Sequence, residues 1–290
     1  MKLSIIVPAH NEAGNITACL DAIRATLDSE NNIPYEIVCV DDNSRDNTPE
    51  LVLAQAAIDP RVRLIRRTPP AGFGRAIRAG LEHCTGEVIV IFMADLSDDP
   101  KDVVSYYRKI LEGYDCVFGS RFIKGSNTES YPWVKLIVNR LVNTGIRLMF
   151  WTRFNDLTNA FKAYRRCVVE DCGPYRASHF NITLELSLSA LIRNYEIAQI
   201  PISWHGRKWG RSNLRLRVMG RKYLCTLLMM LFQRMLVQDD VVAEKLALRV
   251  RRDQLAHDFD ERLKQVEQAV FSLPRQDRLE PTEAPDQVRV

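Results

Sequence analysis

Short runs of branched apolar residues alternate with helix-length segments through the first 120 positions of the chain. Residues 3–7, 35–40, 62–66, 87–92 and 115–119 read as strands, because each is a mostly apolar run bounded by polar or turn-forming residues. Between them, residues 12–28, 48–57, 74–84 and 102–112 read as helices, with Asp46 and Thr48 placed to cap the second. Strands that are apolar throughout, rather than at alternate positions, are buried on both faces. They predict an α/β fold with a mostly parallel, Rossmann-like sheet covered by helices.

The second half is less regular. Residues 132–150 read as a helix interrupted by Asn and Arg, 180–193 as an amphipathic helix, and 197–204 as a strand entering a cationic segment. From Arg207 to Lys222 there are seven Lys or Arg and no acid. Leu227, Leu228, Met229, Met230, Leu231 and Phe232 follow, in an apolar stretch too short to span a bilayer. Basic residues beside such a stretch suit a helix packed on the sheet or an interfacial helix on an anionic leaflet, over residues 223–238. Residues 239–273 repeat apolar positions at intervals of three and four, as in Leu255, Phe259, Leu263, Val266 and Val270. That pattern predicts an amphipathic helical tail able to pair with a second copy as a homodimer. Residues 274–290, with three prolines and many charges, read as disordered. The expected organisation is an α/β domain over 1–222, the interfacial helix, the tail and the disordered end.

A chain of 290 residues with 46% hydrophobic and 26% charged content can bury a full core, which excludes a disordered chain and a disulfide mini-protein. The net charge of +4 is uneven: residues 239–290 hold 9 basic and 12 acidic groups, leaving 31 against 24 in the body. A basic body suits an anionic ligand such as a sugar nucleotide, a lipid phosphate or an anionic membrane surface. Nucleic acid fits less well, because Trp204 and Trp209 near the basic segment form no repeated aromatic platform. The seven cysteines include no C-x-x-C pair and read as reduced packing residues of a cytosolic protein. No leader pattern precedes the first strand, so the expected location is cytoplasmic and peripheral at the inner face of the membrane.

In open α/β sheets, ligands sit beyond the carboxyl ends of the strands. Three of those ends carry polar or acidic turns: Pro8-Ala-His-Asn-Glu12, Asp41-Asp-Asn-Ser44 and Ala94-Asp-Leu-Ser-Asp-Asp-Pro100. Converging carboxylates suit a cation or a nucleobase, and the same residue types also make turns and caps.

Together with Gly119-Ser-Arg-Phe-Ile-Lys-Gly125 and Arg207-x-x-Gly-x-Ser212, these blocks resemble family-two glycosyltransferases of the GT-A fold. The later blocks are similar to the dolichol- or polyprenyl-phosphate sugar synthase branch. The resemblance implies an inverting, metal-assisted hexosyltransferase that takes a nucleoside diphosphate sugar as donor and a polyprenyl phosphate as acceptor. It assigns Pro8, Ala9, His10, Glu12, Asp42, Ala94, Asp95, Arg207 and Ser212 to the donor, and Arg121 and Lys135 to the acceptor phosphate. Asp95 would ligate Mg²⁺ or Mn²⁺ and, with Arg121, count as catalytic; Asp98 and Asp99 either assist or cap the next helix.

Three positions depart from or qualify that pattern. Met93 replaces the first acid of the usual Asp-x-Asp, and a thioether is a poor ligand for a hard cation. Asn213 stands where a lysine is usual, with Lys208 and Arg211 nearby to compensate. Asp156 is the polar candidate of the acceptor-side block, and Glu185 would serve as acid–base only if the acceptor were a hydroxyl. His179 reads as structural. The alternatives are therefore transfer to a saccharide hydroxyl, or an inactive sugar-nucleotide-binding scaffold.

Overall fold

The computed structural model describes residues 1–30, 33–129, 131–206, 220–236, 247 and 262–264. Three parallel strands and their crossovers open the chain: β1 (Leu3–Ala9), α1 (Ile16–Ser29), β2 (Tyr35–Asp41), α2 (Thr48–Ile58) and β3 (Val62–Arg66). The chain then crosses back through α3 (Phe73–His83) to β4 (Val88–Ile91), which pairs with the other side of β1. This reversal between β1 and β4 is the topological switch point, where the carboxyl ends of adjacent strands diverge and leave a crevice. The three polar turns of the sequence all open at that edge.

Alternation along β1 divides the core in two. Leu3, Ile5 and Val7 join the cluster with α1 and α4 (Pro100–Leu111), while Ile6 joins the cluster on the opposite face with α3. All seven residues of β1 and of β2 are buried, as a sheet covered on both faces requires.

Beyond β5 (Cys116–Ser120) the architecture departs from a simple alternation. A short strand β6 (Asn127–Glu129) precedes α5 (Trp133–Phe150), and β7 (Lys162–Arg165) then inserts antiparallel between β4 and β5. The sheet order is β3-β2-β1-β4-β7-β5-β8, with β8 spanning Ile197–Pro201. Sequence pattern misses β7 because it is four residues long and charged at both ends. Its pairing comes from the strands on either side.

Other expectations are corrected. Residues 12–15 are turns rather than the start of a helix: the Glu12 carbonyl accepts from Asn15 N and Ile16 N, and α1 begins at Ile16. The expected strand over 197–204 is two strands, since the chain leaves the large sheet at Pro201 and pairs β9 (Ser203–His205) with β6. α6 (Arg166–Cys172) was not anticipated. Helix α7 (Ile182–Ile192) is buried around nearly its whole circumference rather than on one face. Its polar residues are satisfied inside: Ser187 Oγ donates to the Thr183 carbonyl at 2.6 Å, and Thr183 Oγ1 to the Phe180 carbonyl at 2.9 Å.

The chain divides into two compact units, Met1–Gln238 and Asp239–Val290. Everything described below belongs to the first unit. The tail pattern over 239–273 and the disordered end over 274–290 fall almost wholly outside the described residues.

Candidate active site

Hydrogen bonds lace the loops after β1 and β2 together. Asn11 N donates to Ser44 Oγ at 2.9 Å, Glu12 N to Thr48 Oγ1 at 2.9 Å, Ala13 N to Asp46 Oδ2 at 3.1 Å, and Arg45 N to Asn11 Oδ1 at 2.7 Å. Asn11 occupies the left-handed region at φ 56°, which Asn tolerates through local hydrogen bonding. Burial pushes the Asp46 carboxyl up, but hydrogen bonds from Thr48 and Ala13 outweigh it and hold the group below its usual range. Asp46 thus anchors both loops.

The five residues of these strand ends and loops that are expected on the donor side come together. Pro8 and Ala9 end β1, buried beside Val40 and Asp41. His10 Nδ1 lies 2.7 Å from the Asp42 carbonyl oxygen, so Nδ1 carries the proton and Nε2 accepts from Asn11 Nδ2 at 3.2 Å. Glu12 Oε2 accepts from Asn15 Nδ2 at 2.7 Å. Asp42, expected to read the base, has Arg67 Nη1 on one oxygen and Gly72 N on the other at 2.5 Å. Arg67 is a residue sequence reading missed; the signal was a cation immediately after the third strand. Asp42 therefore also pins the 67–72 segment over the crevice.

That segment feeds α3, whose first turn lies against residues 177–179. A Cβ on Gly74 would sit 2.5 Å from the Ala177 carbonyl and 2.9 Å from His179 N, so the close approach needs glycine. The same loop is held from below by Glu185, whose Oε1 and Oε2 accept from Arg176 N and Ala177 N, each at 2.8 Å. Both oxygens of Glu185 are thus occupied by backbone. His179 is held below the usual imidazole range by burial and then by the charges of Lys222 and Arg75.

At the end of β4, Asp95 and Asp98 take different roles from Asp99. Asp95 Oδ1 accepts from Ser97 N at 3.1 Å, in a turn where Leu96 has φ 57°. Asp99 caps α4 by accepting from Lys101 N at 2.9 Å. Asp98 instead turns back, with Oδ2 3.4 Å from Met93 N, and is almost wholly buried. Its carboxyl is pushed up to about 8, first by burial and then by the charge of Asp95. Ala94, between the expected ligand and Met93, is buried.

Two buried carboxylates that repel each other, with the nearby Ser97, form an oxygen donor set. Hard oxygen donors fit Mg²⁺ or Mn²⁺, and Mg²⁺ commonly needs only one or two carboxylates when phosphates and waters complete its shell. Among the described residues no group of three or more acids, His or Cys could hold a metal unaided. The residues present therefore fit a cation shared with a diphosphate.

On the other side of the crevice, Arg121 follows β5 and is clamped by Asp156. Its Nε and Nη2 donate to Oδ2 and Oδ1 at 2.8 and 2.7 Å, with both side chains buried. Burial alone would lower the guanidinium pKa, but the Asp156 charge and hydrogen bonds raise it. The remaining Nη1 faces Tyr131 OH at 3.4 Å, and the guanidinium lies over the Phe122 and Tyr131 rings at 5.3 and 5.6 Å. Trp204 packs on Tyr131 at 4.7 Å, and its backbone bridges to Asp98. An aromatic wall thus joins the carboxylate loop to Arg121, and sequence reading gave Tyr131 no role. Lys135 is exposed on α5; Arg140, on the same helix, lies over the Phe122 ring at 4.9 Å. The loop bearing Asp156 is held by Lys162, whose Nζ donates to the Leu157 and Asn159 carbonyls at 2.7 and 2.6 Å. Burial pushes that amine down to about 7.

Arg207 and Ser212, with Lys208, Arg211 and Asn213, lie outside the described residues.

The family model described as glycosyl transferase family 2 matches residues 4–173. Polyprenol monophosphomannose synthase of Mycolicibacterium smegmatis is 28% identical over 216 residues, covering 72% of this chain and 80% of that protein. Dolichol-phosphate mannosyltransferase of Pyrococcus furiosus is 32% identical over 217 residues, covering 74% of this chain; the chain spans 60% of that protein's length. Among solved structures, glucosyl-3-phosphoglycerate synthase from Mycobacterium tuberculosis, in complex with Mn²⁺, UDP and glucosyl-3-phosphoglycerate, superposes with a TM-score of 0.61. Identity is 20%, and 79% of each chain is covered, a likeness of fold.

Proposed function

The chain belongs to glycosyl transferase family 2, and from that premise we propose that it moves a hexose from a nucleoside diphosphate sugar to a polyprenyl phosphate at a membrane surface. The observation that carries the acceptor assignment is the state of Asp156 and Glu185, the two acids weighed for the acceptor side, beside a fixed Arg121. Transfer to a sugar hydroxyl needs a base to remove a proton. Glu185 gives both oxygens to Arg176 N and Ala177 N, and Asp156 gives both to Arg121. A phosphate monoester is already anionic at neutral pH and needs a positioning cation instead. Arg121, rigidly held and with one edge turned to Tyr131, is that cation.

The donor side follows from the same residues. Pro8, Ala9, His10, Glu12 and Asp42 form the floor and wall for base and ribose, and Ala94 and Asp95 border the diphosphate. Arg207 and Ser212, outside the described residues, are assigned to the donor by the family resemblance alone. Asp95, assisted by Asp98, would hold Mg²⁺ or Mn²⁺, which when bound offsets the charge that builds on the leaving diphosphate. The name of the M. tuberculosis complex, with Mn²⁺ and UDP, supports that reading.

In the reaction, an acceptor phosphate oxygen held by Arg121 attacks the anomeric carbon. The bond from that carbon to the diphosphate breaks, and the nucleoside diphosphate departs on the opposite face. The product is a sugar–phosphate–lipid diester with inverted anomeric configuration. Helical residues 220–236 contribute the membrane side: Met230 is buried in the core, while Leu224, Leu228, Phe232 and Met235 face outward at helical spacing. No helix among the described residues is long and apolar enough to cross a membrane.

Incubation with labelled GDP- and UDP-hexoses, Mn²⁺ and a short polyprenyl phosphate should place label in the organic extract. No lipid-linked sugar from any common donor would overturn the proposal. Activity that appears only in Met93→Asp would favour the inactive-scaffold reading.

A further inference from the structure

A cavity of about 620 Å³ lies beside the crevice, between α3, the end of α6 and residues 173–175. None of the described residues assigned above to donor or acceptor lines it. Three arginines do. Arg67 follows β3, and Arg75 and Arg78 stand three residues apart on α3, a spacing that puts them side by side on one helix face. Each guanidinium is fixed through Nη1: that of Arg67 donates to Asp42, that of Arg75 to the Ala71 carbonyl at 3.0 Å, and that of Arg78 to the Tyr175 carbonyl at 2.8 Å.

Those bonds hold the three side chains in place and leave the Nε and Nη2 donors of each without a partner among the described residues. Neither Arg75 nor Arg78 has a carboxylate partner among them, so like charges one helical turn apart repel with no counter-charge from the fold. A phosphate supplies that charge, and a guanidinium grips it with paired hydrogen bonds. The rest of the cavity is of another kind. Leu81, Val169 and Pro174 give it an apolar wall; Glu82, one turn beyond Arg78, and Glu170, 3.8 Å from Arg166, add acceptors for hydroxyl groups. The volume falls in the range of small-molecule pockets.

We propose that this cavity is a second anion site that takes a phosphorylated, hydroxyl-bearing small molecule, its phosphate on Arg67, Arg75 and Arg78 and its hydroxyls on Glu82 and Glu170. The site needs neither the metal nor the acceptor of the reaction proposed above. Arg67 is its link to the crevice, because the same Nη1 holds Asp42. Cavity and donor site share one cation, so a ligand that changes donor affinity has its own affinity changed by the donor in equal measure.

The test is calorimetric titration of the full chain with inorganic pyrophosphate and with ADP, in EDTA so that no divalent ion recruits a diphosphate to Asp95. Both probes should bind, and ADP more tightly, because pyrophosphate has no hydroxyl for Glu82 or Glu170. The double variant Arg75→Gln/Arg78→Gln, which keeps an N–H for each backbone carbonyl, should weaken both at least about tenfold. Asp95→Asn should leave both unchanged. Ala79→Glu spares all three arginines and sets a carboxylate one turn from Arg75; it should weaken binding to the same degree, which keeps the inference testable if the double variant fails to fold. Absence of binding by either probe at millimolar concentration overturns the site. So does binding that both arginine and Ala79 variants retain, or that Asp95→Asn abolishes, since the probe would then sit in the crevice. Pyrophosphate bound as tightly as ADP overturns the role given to the two glutamates. Transfer activity enters none of these readings, so the site and the proposed function stand or fall separately.

Discussion

Asp156 has two jobs at once: it neutralises a buried guanidinium and it aims that guanidinium. Removing one partner of a buried ion pair leaves an uncompensated charge, at a cost of about 3–5 kcal/mol. Asp156→Ala should therefore lower the unfolding free energy measured in urea by an amount of that order and abolish transfer. A loss below about 1 kcal/mol would show that Arg121 finds another partner. At this scale the sequence was partly legible. The polar turns that hold Asp42 and Asp95 stood out by their composition at strand ends, whereas Arg121 and Asp156 were singled out only through the family resemblance. What was not legible is which acid does what. Asp98 and Asp99 are adjacent and alike, yet one caps α4 and the other folds back to Met93 N, a difference made by backbone geometry. Arg67 was missed because its partner Asp42 is on another strand's loop.

At the scale of elements, the edge opposite the site is tied by Glu36 at the start of β2. Its carboxylate accepts from Ser4 Oγ at 2.7 Å, Thr85 N at 2.5 Å and Arg63 Nη1 at 2.9 Å, joining β1, β3 and the turn before β4. Burial raises its pKa, but these hydrogen bonds win and hold it at about 2, against 4.5 ordinarily. A carboxyl with a lowered folded-state pKa contributes stability above its unfolded pKa, and that contribution is lost as pH falls through the folded value. Stability should thus fall between about pH 4.5 and about 2, and Glu36→Gln should flatten that slope without changing transfer at neutral pH. Urea midpoints measured across the acid range check this; an unchanged slope would contradict it. The buried parallel strands were legible from their apolar runs. The antiparallel β7 and the all-round burial of α7 were not, because each depends on packing partners outside the element: Glu185 of α7 is buried because Arg176 and Ala177, in the loop before the helix, give it two backbone N–H groups.

At the scale of the molecule, the proposed donor and acceptor sides meet where Trp204 joins the Asp98 loop to Tyr131, within residues 1–238. A chain ending at residue 238 should bind UDP- or GDP-sugar as the full chain does. Calorimetric titration checks it, and loss of the fold would place the tail in the core. The central claim is that the acceptor atom is a phosphate oxygen rather than a hydroxyl. Phosphorus NMR of the extracted product tests it most directly. The account predicts a phosphodiester between sugar and polyprenol with the anomeric configuration inverted from the donor; an intact phosphate monoester, with the sugar joined to a carbon-bound hydroxyl, would contradict it.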